Sequence, residues 1–339
     1  MIATSPTPVK LLMSAHAKKV WGERILAAAP DAGLVFVTAE EAGADDGPCL
    51  ADIAFMTREV TGASSKGNAT PELRNFARVL RKSPHLRWLQ IHPAGAELPI
   101  YRELRERGVK VTTASGATAV TVAHTALGGL IAINRRLPLL ADAQRRHAWE
   151  PRLGAHAPRD FKGQTAVVVG LGPIGQNLAP LLKALGMRVV GVRRKAAPVP
   201  PCDDTITYAA LPAILPQADC LILCCPASEL TRGLANVELF AELPKGALLV
   251  NVARGEVAVE ADLVAALRSG HLAGAFLDVF EREPLDPASP LWDMPNVLVT
   301  PHTASHSLGQ NEAIFDIFLD NLARWRAGRT LRNDVDRLE

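Results

Sequence analysis

Residues 165–195 read TAVVVGLGPIGQNLAPLLKALGMRVVGVRRK, and the predicted fold follows from them. An apolar run at 166–169 leads directly into the glycine pattern GLGPIG at 170–175. An amphipathic segment then ends at Gly186, and a second apolar run follows at 189–192. This order predicts a strand, a tight turn, a helix and a parallel strand, which together form a βαβ unit.

The three glycines of the turn have separate physical roles in a dinucleotide site. Gly170 permits the tight turn, Gly172 lets the backbone approach a pyrophosphate, and Gly175 lets the helix pack closely on the strand. The free N–H groups and the positive dipole end of the helix then favour bound phosphate. A bare GxGxxG pattern also occurs in ordinary turns, but its position between a strand and a helix favours a dinucleotide site.

The residues at the end of the second strand indicate which dinucleotide binds. An NAD site has an acidic residue there that accepts from the ribose 2′-hydroxyl, whereas this chain has Arg193, Arg194 and Lys195. Guanidinium groups form charge-assisted hydrogen bonds with the 2′-phosphate of NADP. The acids Asp203 and Asp204 lie beyond a proline-rich loop. We therefore predict NADP as the preferred cofactor and NAD as the alternative.

Length and composition limit the possible classes of protein. The chain has 339 residues, 48% of them hydrophobic and 21% charged, which predicts two well-packed domains. The net charge is +2 with scattered basic residues, so we expect no nucleic-acid partner. We find no long uncharged apolar run and no secretory leader, which argues against a membrane partner. Five cysteines without CxxC spacing suggest neither disulfides nor a metal site, and a cytoplasmic location fits.

Strands that alternate with helical segments predict doubly wound parallel sheets. We expect a Rossmann cofactor domain of residues 118–310, inserted into a flavodoxin-like substrate-binding domain of residues 1–117 and 311–339. An almost uncharged helix at 118–135 links the two, and Pro138 is expected to end it. An amphipathic helix at 314–325 is expected to fold back onto the first domain. The predicted strands are 9–13, 34–37, 53–56, 86–91, 109–112, 166–169, 189–192, one near Ile206, 220–224, 248–252, 274–278 and 297–300.

Three apolar runs after the glycine turn end in charged groups. Arg254 follows one run, Glu283 lies shortly after another, and His302 follows the last. Ligands of such sheets bind outside the carboxyl ends of the strands, so these groups are expected to meet in one cleft. Arg254 would bind a substrate carboxylate and polarise a ketone, His302 would donate a proton, and Glu283 would keep the imidazole charged.

Each of these groups also has a simpler interpretation. Taken alone, Arg254 is typical of a surface residue, Glu283 of a loop charge and His302 of a helix cap. No glutamate follows His302, which argues against a zincin metal site, and no GxSxG elbow is present. The small residues Ala94, Gly95 and Ala96 follow a predicted strand, so their N–H groups could hold a carboxylate or form a simple turn.

At these residues the chain resembles the D-isomer-specific 2-hydroxyacid dehydrogenase family, in particular its glyoxylate and hydroxypyruvate reductase branch. The resemblance covers nearly the whole chain and rests on the segments WLQIHPAGAE, AHTALGGLIAINRRLP, GLGPIGQNLA, VNVARGEV, LDVFEREPLDPASPLWDMPNVLVTPHTA and NLARWRAG.

The resemblance implies roles for particular positions. Arg254, Glu283 and His302 would be the catalytic set, and Asp278 would contact the nicotinamide carboxamide. The backbone of residues 94–96 would take the substrate carboxylate together with Arg254 and His302. The complete set of expected cofactor contacts is Gly170, Gly172, Pro173, Ile174, Gly175, Arg193, Arg194, Cys225, Pro226, Val252 and Asp278.

The resemblance further implies a homodimer to which the helix near Ala119 contributes, and an oxidoreductase that transfers hydride from NADPH to a small 2-keto acid to give a D-2-hydroxy acid. Two alternatives remain at this point. One is a dinucleotide-sensing binding protein like the corepressors that share this fold. The other is a related enzyme specific for phosphite or for a larger 2-keto acid.

Overall fold

The computed structural model describes residues 8–62, 69–151, 154 and 157–338. Its strands are β1 (Lys10–Met13), β2 (Val35–Thr38), β3 (Ile53–Met56), β4 (Trp88–Ile91), β5 (Lys110–Thr112), β6 (Thr165–Val169), β7 (Arg188–Arg193), β8 (Asp204–Thr207), β9 (Cys220–Leu223), β10 (Ala247–Asn251), β11 (Leu272–Leu277) and β12 (Val297–Val299). The predicted strands therefore agree with the observed ones to within one or two residues at each end.

Most of the helices lie between these strands, as a doubly wound fold requires, and the last two follow the final strand. They are α1 (Ala15–Ala28), α2 (Ala39–Ala44), α3 (Arg58–Thr61), α4 (Pro71–Arg81), α5 (Pro99–Glu106), α6 (Ala119–Asn134), α7 (Leu137–Arg145), α8 (Pro173–Ala184), α9 (Leu211–Ile214), α10 (Val237–Glu242), α11 (Glu260–Arg268), α12 (Gln310–Arg326) and α13 (Val335–Leu338).

Two parallel sheets form the framework. A five-stranded sheet has the order β2-β1-β3-β4-β5, and a seven-stranded sheet has the order β12-β11-β10-β9-β6-β7-β8. The first is the flavodoxin-like order and the second is an extended Rossmann order, in which the strand order reverses between β6 and β9. The predicted fold class is confirmed. Ligands of such sheets bind at the reversal point, outside the carboxyl ends of the strands.

The chain divides into two compact units. Unit 1 consists of Met1–Ala117 and Leu308–Glu339 and contains the five-stranded sheet. Unit 2 consists of Thr118–Ser307 and contains the seven-stranded sheet. Its strands β6, β9 and β10 are fully buried along their length, as expected for a parallel sheet covered on both faces.

Helix α12 belongs to the core of unit 1. Its Phe315 ring stacks on Trp21 of α1 at a centroid distance of 4.3 Å, and its Phe318 ring stacks on Phe55 of β3 at 4.2 Å. Phe55, Phe315 and Phe318 are almost completely buried. Because burial of large aromatic rings dominates core energetics, these contacts fix the helix on the sheet.

One expectation about the helix at 118–135 was wrong in its details. Pro138 does not end that helix, because α6 has already ended at Asn134 and Arg136 adopts a left-handed backbone conformation with φ of 55°. Pro138 instead lies in the first turn of α7, where its missing N–H has no helical partner to lose. Helix α7 was not predicted, because Pro138 was interpreted as a helix end, whereas proline is also common in the first turn of a helix.

Candidate active site

The glycine turn has the geometry that its sequence predicts. Gly170 has φ of 106°, and a Cβ atom there would lie 2.7 Å from the backbone of Cys225. A Cβ atom on Gly175 would lie 2.1 Å from the carbonyl oxygen of Gly170. A Cβ atom on Gly172 would point into open space. The first and third glycines are therefore required by close packing, whereas the second leaves its backbone approachable from outside.

The turn and the start of α8 fit a bound pyrophosphate. Helix α8 begins at Pro173 with Gly172 as its N-cap residue, and both are exposed. Ile174 and Gly175 lie in the first turn, where backbone N–H groups have no intrahelical acceptor. An approachable backbone next to free N–H groups at a helix N-terminus is the arrangement that holds phosphate.

Cys224 and Cys225 follow β9 at the reversal point of the sheet. The Cys224 thiol donates to the Gly170 carbonyl oxygen at 3.0 Å, and Cys225 is 2% exposed. Burial raises the pKa of the Cys225 thiol to about 11, so it is protonated near neutral pH. The Thr231 hydroxyl donates to the Pro226 carbonyl oxygen at 2.6 Å and fixes the following loop. These cysteines are therefore packing residues and not nucleophiles.

The end of β7 is basic, and the two nearby acids lie elsewhere. Arg193 is the last residue of β7 and pairs in register with Thr207 of β8, and Arg194 is exposed. Asp203 accepts from the Val189 backbone N–H at 2.7 Å, at the beginning of β7. The hydrogen bond from Lys183 holds the pKa of Asp203 below its usual range. This carboxylate thus stabilises the opposite end of the strand from Arg193.

The turn that carries Arg254 follows β10. The side chain of Asn251 accepts from the Ala253 backbone N–H at 3.1 Å and donates to the Arg254 carbonyl oxygen at 3.3 Å. The Val252 N–H donates to the Leu223 carbonyl oxygen at 3.1 Å, which joins the turn to β9. Arg254 itself is half-buried, and its Nη1 donates to the Ala253 carbonyl oxygen at 2.8 Å.

Gly255 brings this turn against the segment that carries Glu283. A Cβ atom on Gly255 would lie 1.8 Å from the carbonyl carbon of Phe280 and 2.3 Å from the backbone nitrogen of Glu281. No residue with a side chain fits there unless the backbone moves. The Phe280 N–H also donates to Glu283 Oε1 at 3.1 Å, which orients the carboxylate.

Glu283 and His302 form a charged pair. Glu283 Oε2 lies 2.8 Å from His302 Nδ1, and the two side chains are 35% and 48% exposed. The hydrogen bond that His302 donates to Glu283 raises the pKa of His302 above its usual value, against the effects of partial burial and the Arg254 charge. Burial alone would raise the pKa of Glu283, but the hydrogen bond and charge of His302, together with Arg254, lower it.

Asp278 holds the loop on which His302 lies. Its carboxylate, 2% exposed, accepts from the Thr300 hydroxyl at 2.6 Å and from the backbone N–H groups of Thr303 at 2.8 Å and Ala304 at 3.0 Å. His302 has φ of 53°, a conformation that non-glycine residues rarely adopt and that the surrounding bonds must maintain. No local sequence pattern indicates this role. Three accepted bonds leave the carboxylate about one further acceptor position, which is compatible with its predicted contact to the cofactor.

The predicted carboxylate loop lies in unit 1. Ala94 is exposed, Gly95 and Ala96 are half-buried, and the Ala114 N–H donates to the Pro93 carbonyl oxygen at 3.0 Å. The carboxylate of Glu97 lies so close to Gly95 that a Cβ atom there would be 2.3 Å from it. Because this carboxylate is the end of a flexible side chain that can move aside, the contact alone does not restrict position 95 to glycine.

His92 precedes this loop and was not singled out from the sequence. Both of its ring nitrogens lie 3.4 Å from the Thr61 hydroxyl. Burial lowers the pKa of His92 to about 4, with a further lowering by the charge of Arg58 and an opposing effect of Glu59. His92 is therefore neutral near neutral pH.

Within the described part of the chain, no helix is both long and apolar enough to cross a membrane. The same residues contain no cluster of three or more histidine, cysteine, aspartate or glutamate side chains that could ligate a metal ion.

Known proteins resemble the chain in sequence and in fold. A sequence model described as "D-isomer specific 2-hydroxyacid dehydrogenase, NAD binding domain" matches residues 127–304. A protein of Chromohalobacter salexigens named (S)-sulfolactate dehydrogenase is 36% identical over 261 residues, which cover 74% of this chain and 82% of that protein. The chain belongs to the D-isomer specific 2-hydroxyacid dehydrogenase family.

Other members of the family are similar over comparable lengths. A glyoxylate reductase of Korarchaeum cryptofilum is 31% identical over 77% of this chain and 79% of its own. A 2-hydroxyacid dehydrogenase of Xanthobacter autotrophicus Py2, solved with NADPH and MES, superposes with a TM-score of 0.76 at 31% identity and covers 97% of this chain and 98% of its own. The chain is thus an NAD(P)-dependent oxidoreductase of this family.

Proposed function

We propose that the protein is an NADPH-preferring reductase of small 2-keto acids of the glyoxylate and hydroxypyruvate type, and that it forms D-2-hydroxy acids. The observation that carries this proposal is the contact of 2.8 Å between Glu283 and His302, next to the positive charge of Arg254. A proton donor beside a guanidinium suits the reduction of a ketone that is adjacent to a carboxylate.

In this mechanism, Arg254 binds the substrate carboxylate and draws electron density toward the ketone oxygen. His302, protonated because Glu283 raises its pKa, donates the proton to that oxygen from its other ring nitrogen, Nε2. The nicotinamide cofactor supplies the hydride when bound. Unit 1 serves as the substrate-binding domain, with the N–H groups of residues 94–96 holding the carboxylate, and unit 2 serves as the cofactor domain.

Replacement of His302 tests the proposed acid. His302→Ala should lower kcat on glyoxylate and hydroxypyruvate by about 10²- to 10⁴-fold, the usual contribution of a general acid. His306→Ala is a matched control, because His306 is exposed and lies four residues further along the same loop. A His302→Ala enzyme that turns over both substrates at the wild-type rate would exclude the mechanism.

We propose that NADP is preferred over NAD because of the basic end of β7. Each charge-assisted bond to a 2′-phosphate contributes about 1.5–3 kcal/mol, or roughly 10- to 100-fold in affinity. Arg193→Ala combined with Arg194→Ala should therefore raise KM for NADPH by at least about tenfold and change KM for NADH little. Arg188→Ala is the control, since Arg188 lies at the other end of β7 and pairs with Asp204 at 2.7 Å. Equal losses with both cofactors would contradict the preference.

The proposed substrate class rests on the Arg254, Glu283 and His302 set and on relatives that are named for different substrates. Relatives are named glyoxylate reductase and (S)-sulfolactate dehydrogenase. These substrates can be ranked by initial rates with NADPH and with NADH. The panel contains glyoxylate, hydroxypyruvate, larger 2-keto acids and 2-keto acids with a second anionic group. A higher kcat/KM on a larger keto acid would replace the proposed substrate class and leave the proton-transfer step unchanged.

We also propose a homodimer that works in the cytoplasm. Apolar side chains on α6, on α7 and just beyond α7 are exposed: Val120 by 51%, Leu137 by 47% and Trp149 by 96%. A second copy of the chain would cover exposed apolar side chains of this kind. All five cysteines are free thiols, which suits a reducing compartment. Sedimentation of the wild type and of Leu137→Glu should give a dimer and a weakened dimer, whereas a monomeric wild type would contradict the proposal.

A further inference from the structure

Four polar side chains form one network in the interior of unit 1. Trp88, Gln90, Thr112 and Asn321 each have 0% of their surface exposed. The Trp88 indole N–H donates to Thr112 Oγ1 at 2.7 Å, and that hydroxyl donates to Gln90 Oε1 at 2.8 Å. Asn321 Nδ2 donates to the same Gln90 oxygen at 3.0 Å. The network thus connects β4, β5 and α12 by side chains alone.

Both ends of this network are attached to backbone. At one end, the N–H of Arg332 donates to Asn321 Oδ1 at 2.7 Å, and Asn321 Nδ2 donates to the Arg332 carbonyl oxygen at 3.1 Å. At the other end, Gln90 Nε2 donates to the Ile91 carbonyl oxygen at 2.9 Å. Ile91 is the last residue of β4, and the 93–97 loop begins two residues later. The network therefore ends at the base of that loop.

Packing of the unit 1 core does not by itself require polar side chains at these positions. The neighbours Leu89 and Ile91 on β4 are apolar and completely buried. Apolar residues of the same shape would stabilise such an interior about equally well, because each buried polar group must first lose its water. Hydrogen bonds differ from apolar contacts because they depend on orientation, so each bond of a connected set fixes the position of the next group. The bonds also strengthen one another in the low-dielectric interior.

We infer that Gln90, Thr112 and Asn321 are positioning residues that fix the 93–97 loop so that its backbone N–H groups can bind a substrate carboxylate. This inference rests on the proposed function, in which residues 94–96 hold that carboxylate. The three side chains do not contact the substrate. They act through Gln90, whose amide holds the last carbonyl of β4. Displacement of the loop by even about 1 Å weakens an interaction that depends on aligned N–H groups.

Removal of one hydroxyl from the network provides the first test. Thr112→Val keeps the volume of the side chain but removes the group that accepts from Trp88 and donates to Gln90. Thr112→Ser restores the hydroxyl and should restore function. The measurements are KM for glyoxylate, KM for NADPH, the dissociation constant for oxalate, and amide hydrogen exchange of the peptide that contains residues 92–97. Oxalate is an unreactive carboxylate probe of the same size as the substrate.

Asn321→Leu is the second variant, and Asn75→Leu is its matched control. Asn75 lies in the same unit, and its side chain donates to the Ala39 carbonyl oxygen at 2.9 Å and accepts from Arg78 at 3.1 Å, away from β4. Both substitutions remove an asparagine that bridges two elements. Only the first should affect the 93–97 loop.

The inference predicts that Thr112→Val and Asn321→Leu raise KM for glyoxylate and the oxalate dissociation constant by about tenfold. KM for NADPH should change less than twofold, exchange at residues 92–97 should accelerate, and Thr112→Ser and Asn75→Leu should resemble the wild type. The inference is overturned if the network variants lose only thermal stability, or if Asn75→Leu changes KM for glyoxylate equally. Should Asn321→Leu fail to fold, the pair Thr112→Val and Thr112→Ser decides the question alone.

Failure of the proposed function would be seen separately. A wild-type protein that binds oxalate but reduces no 2-keto acid would exclude the proposed reductase. The oxalate affinities and the exchange rates of the variants would still support or overturn the positioning role.

Discussion

Gly255→Ala should disable the enzyme without preventing cofactor binding. The added Cβ atom would lie 1.8 Å from the Phe280 carbonyl carbon and 2.3 Å from the Glu281 nitrogen, and both neighbours are backbone atoms that cannot rotate away. To reach an ordinary contact of 3.4 Å, the two segments must separate by about 1.6 Å. This movement would separate the Arg254 turn from Glu283 and lengthen the hydrogen bond of 2.8 Å between Glu283 and His302.

The size of the effect follows from this displacement. A misplacement of about 1 Å in a catalytic group can lower the rate by about 10²-fold, so we expect kcat to fall by at least that factor. Overpacking of this kind costs about 1–3 kcal/mol of stability, which a two-domain enzyme tolerates. The affinity for NADPH should fall less than kcat, because Val252 and Asp278 adjoin the displaced segments but the glycine turn at 170–175, which would hold the pyrophosphate, is not part of them.

The kcat can be measured by steady-state reduction of glyoxylate, the affinity for NADPH by fluorescence titration, and stability by thermal unfolding. Gly309→Ala is the control: its Cβ atom would meet nothing within 4 Å, and its φ of −83° suits alanine. If Gly255→Ala keeps the wild-type kcat, the close contact between the two segments does not position the catalytic groups. Equal losses of kcat and NADPH affinity would show a general folding defect instead.

Two further predictions concern the surroundings of His302. As pH rises, reductase activity should be lost at a lower pH in Glu283→Gln than in the wild type. The reason is that Glu283 raises the pKa of His302, and the imidazole must be protonated to donate. An unchanged dependence of kcat on pH would contradict this coupling. Asp278→Asn should lower kcat by about 10-fold or more, because the amide cannot accept from all three donors that hold the His302 loop. A kcat within twofold of the wild-type value would show that the loop keeps its conformation without the carboxylate charge.

Local sequence patterns predicted the framework because its physics is local. The strand, glycine turn, helix and strand of residues 165–195 lie together in the chain, so their periodicity and turn chemistry are visible without knowledge of distant contacts. Proline is an instructive exception. Pro138 starts α7, and only the left-handed conformation of Arg136 shows where α6 and α7 separate.

The residues of the candidate site can be read from the chain: the glycines of the turn, the arginines that end and follow β7, and the Arg254, Glu283 and His302 set after three apolar strands. How these residues are held is visible only in the folded structure. Gly255 against Phe280, Asp278 under the His302 loop, and Asn321 beneath β4 are contacts between residues that are 25 to 231 positions apart. Such contacts depend on how parallel strands align their carboxyl ends, and no local pattern of side chains encodes that alignment.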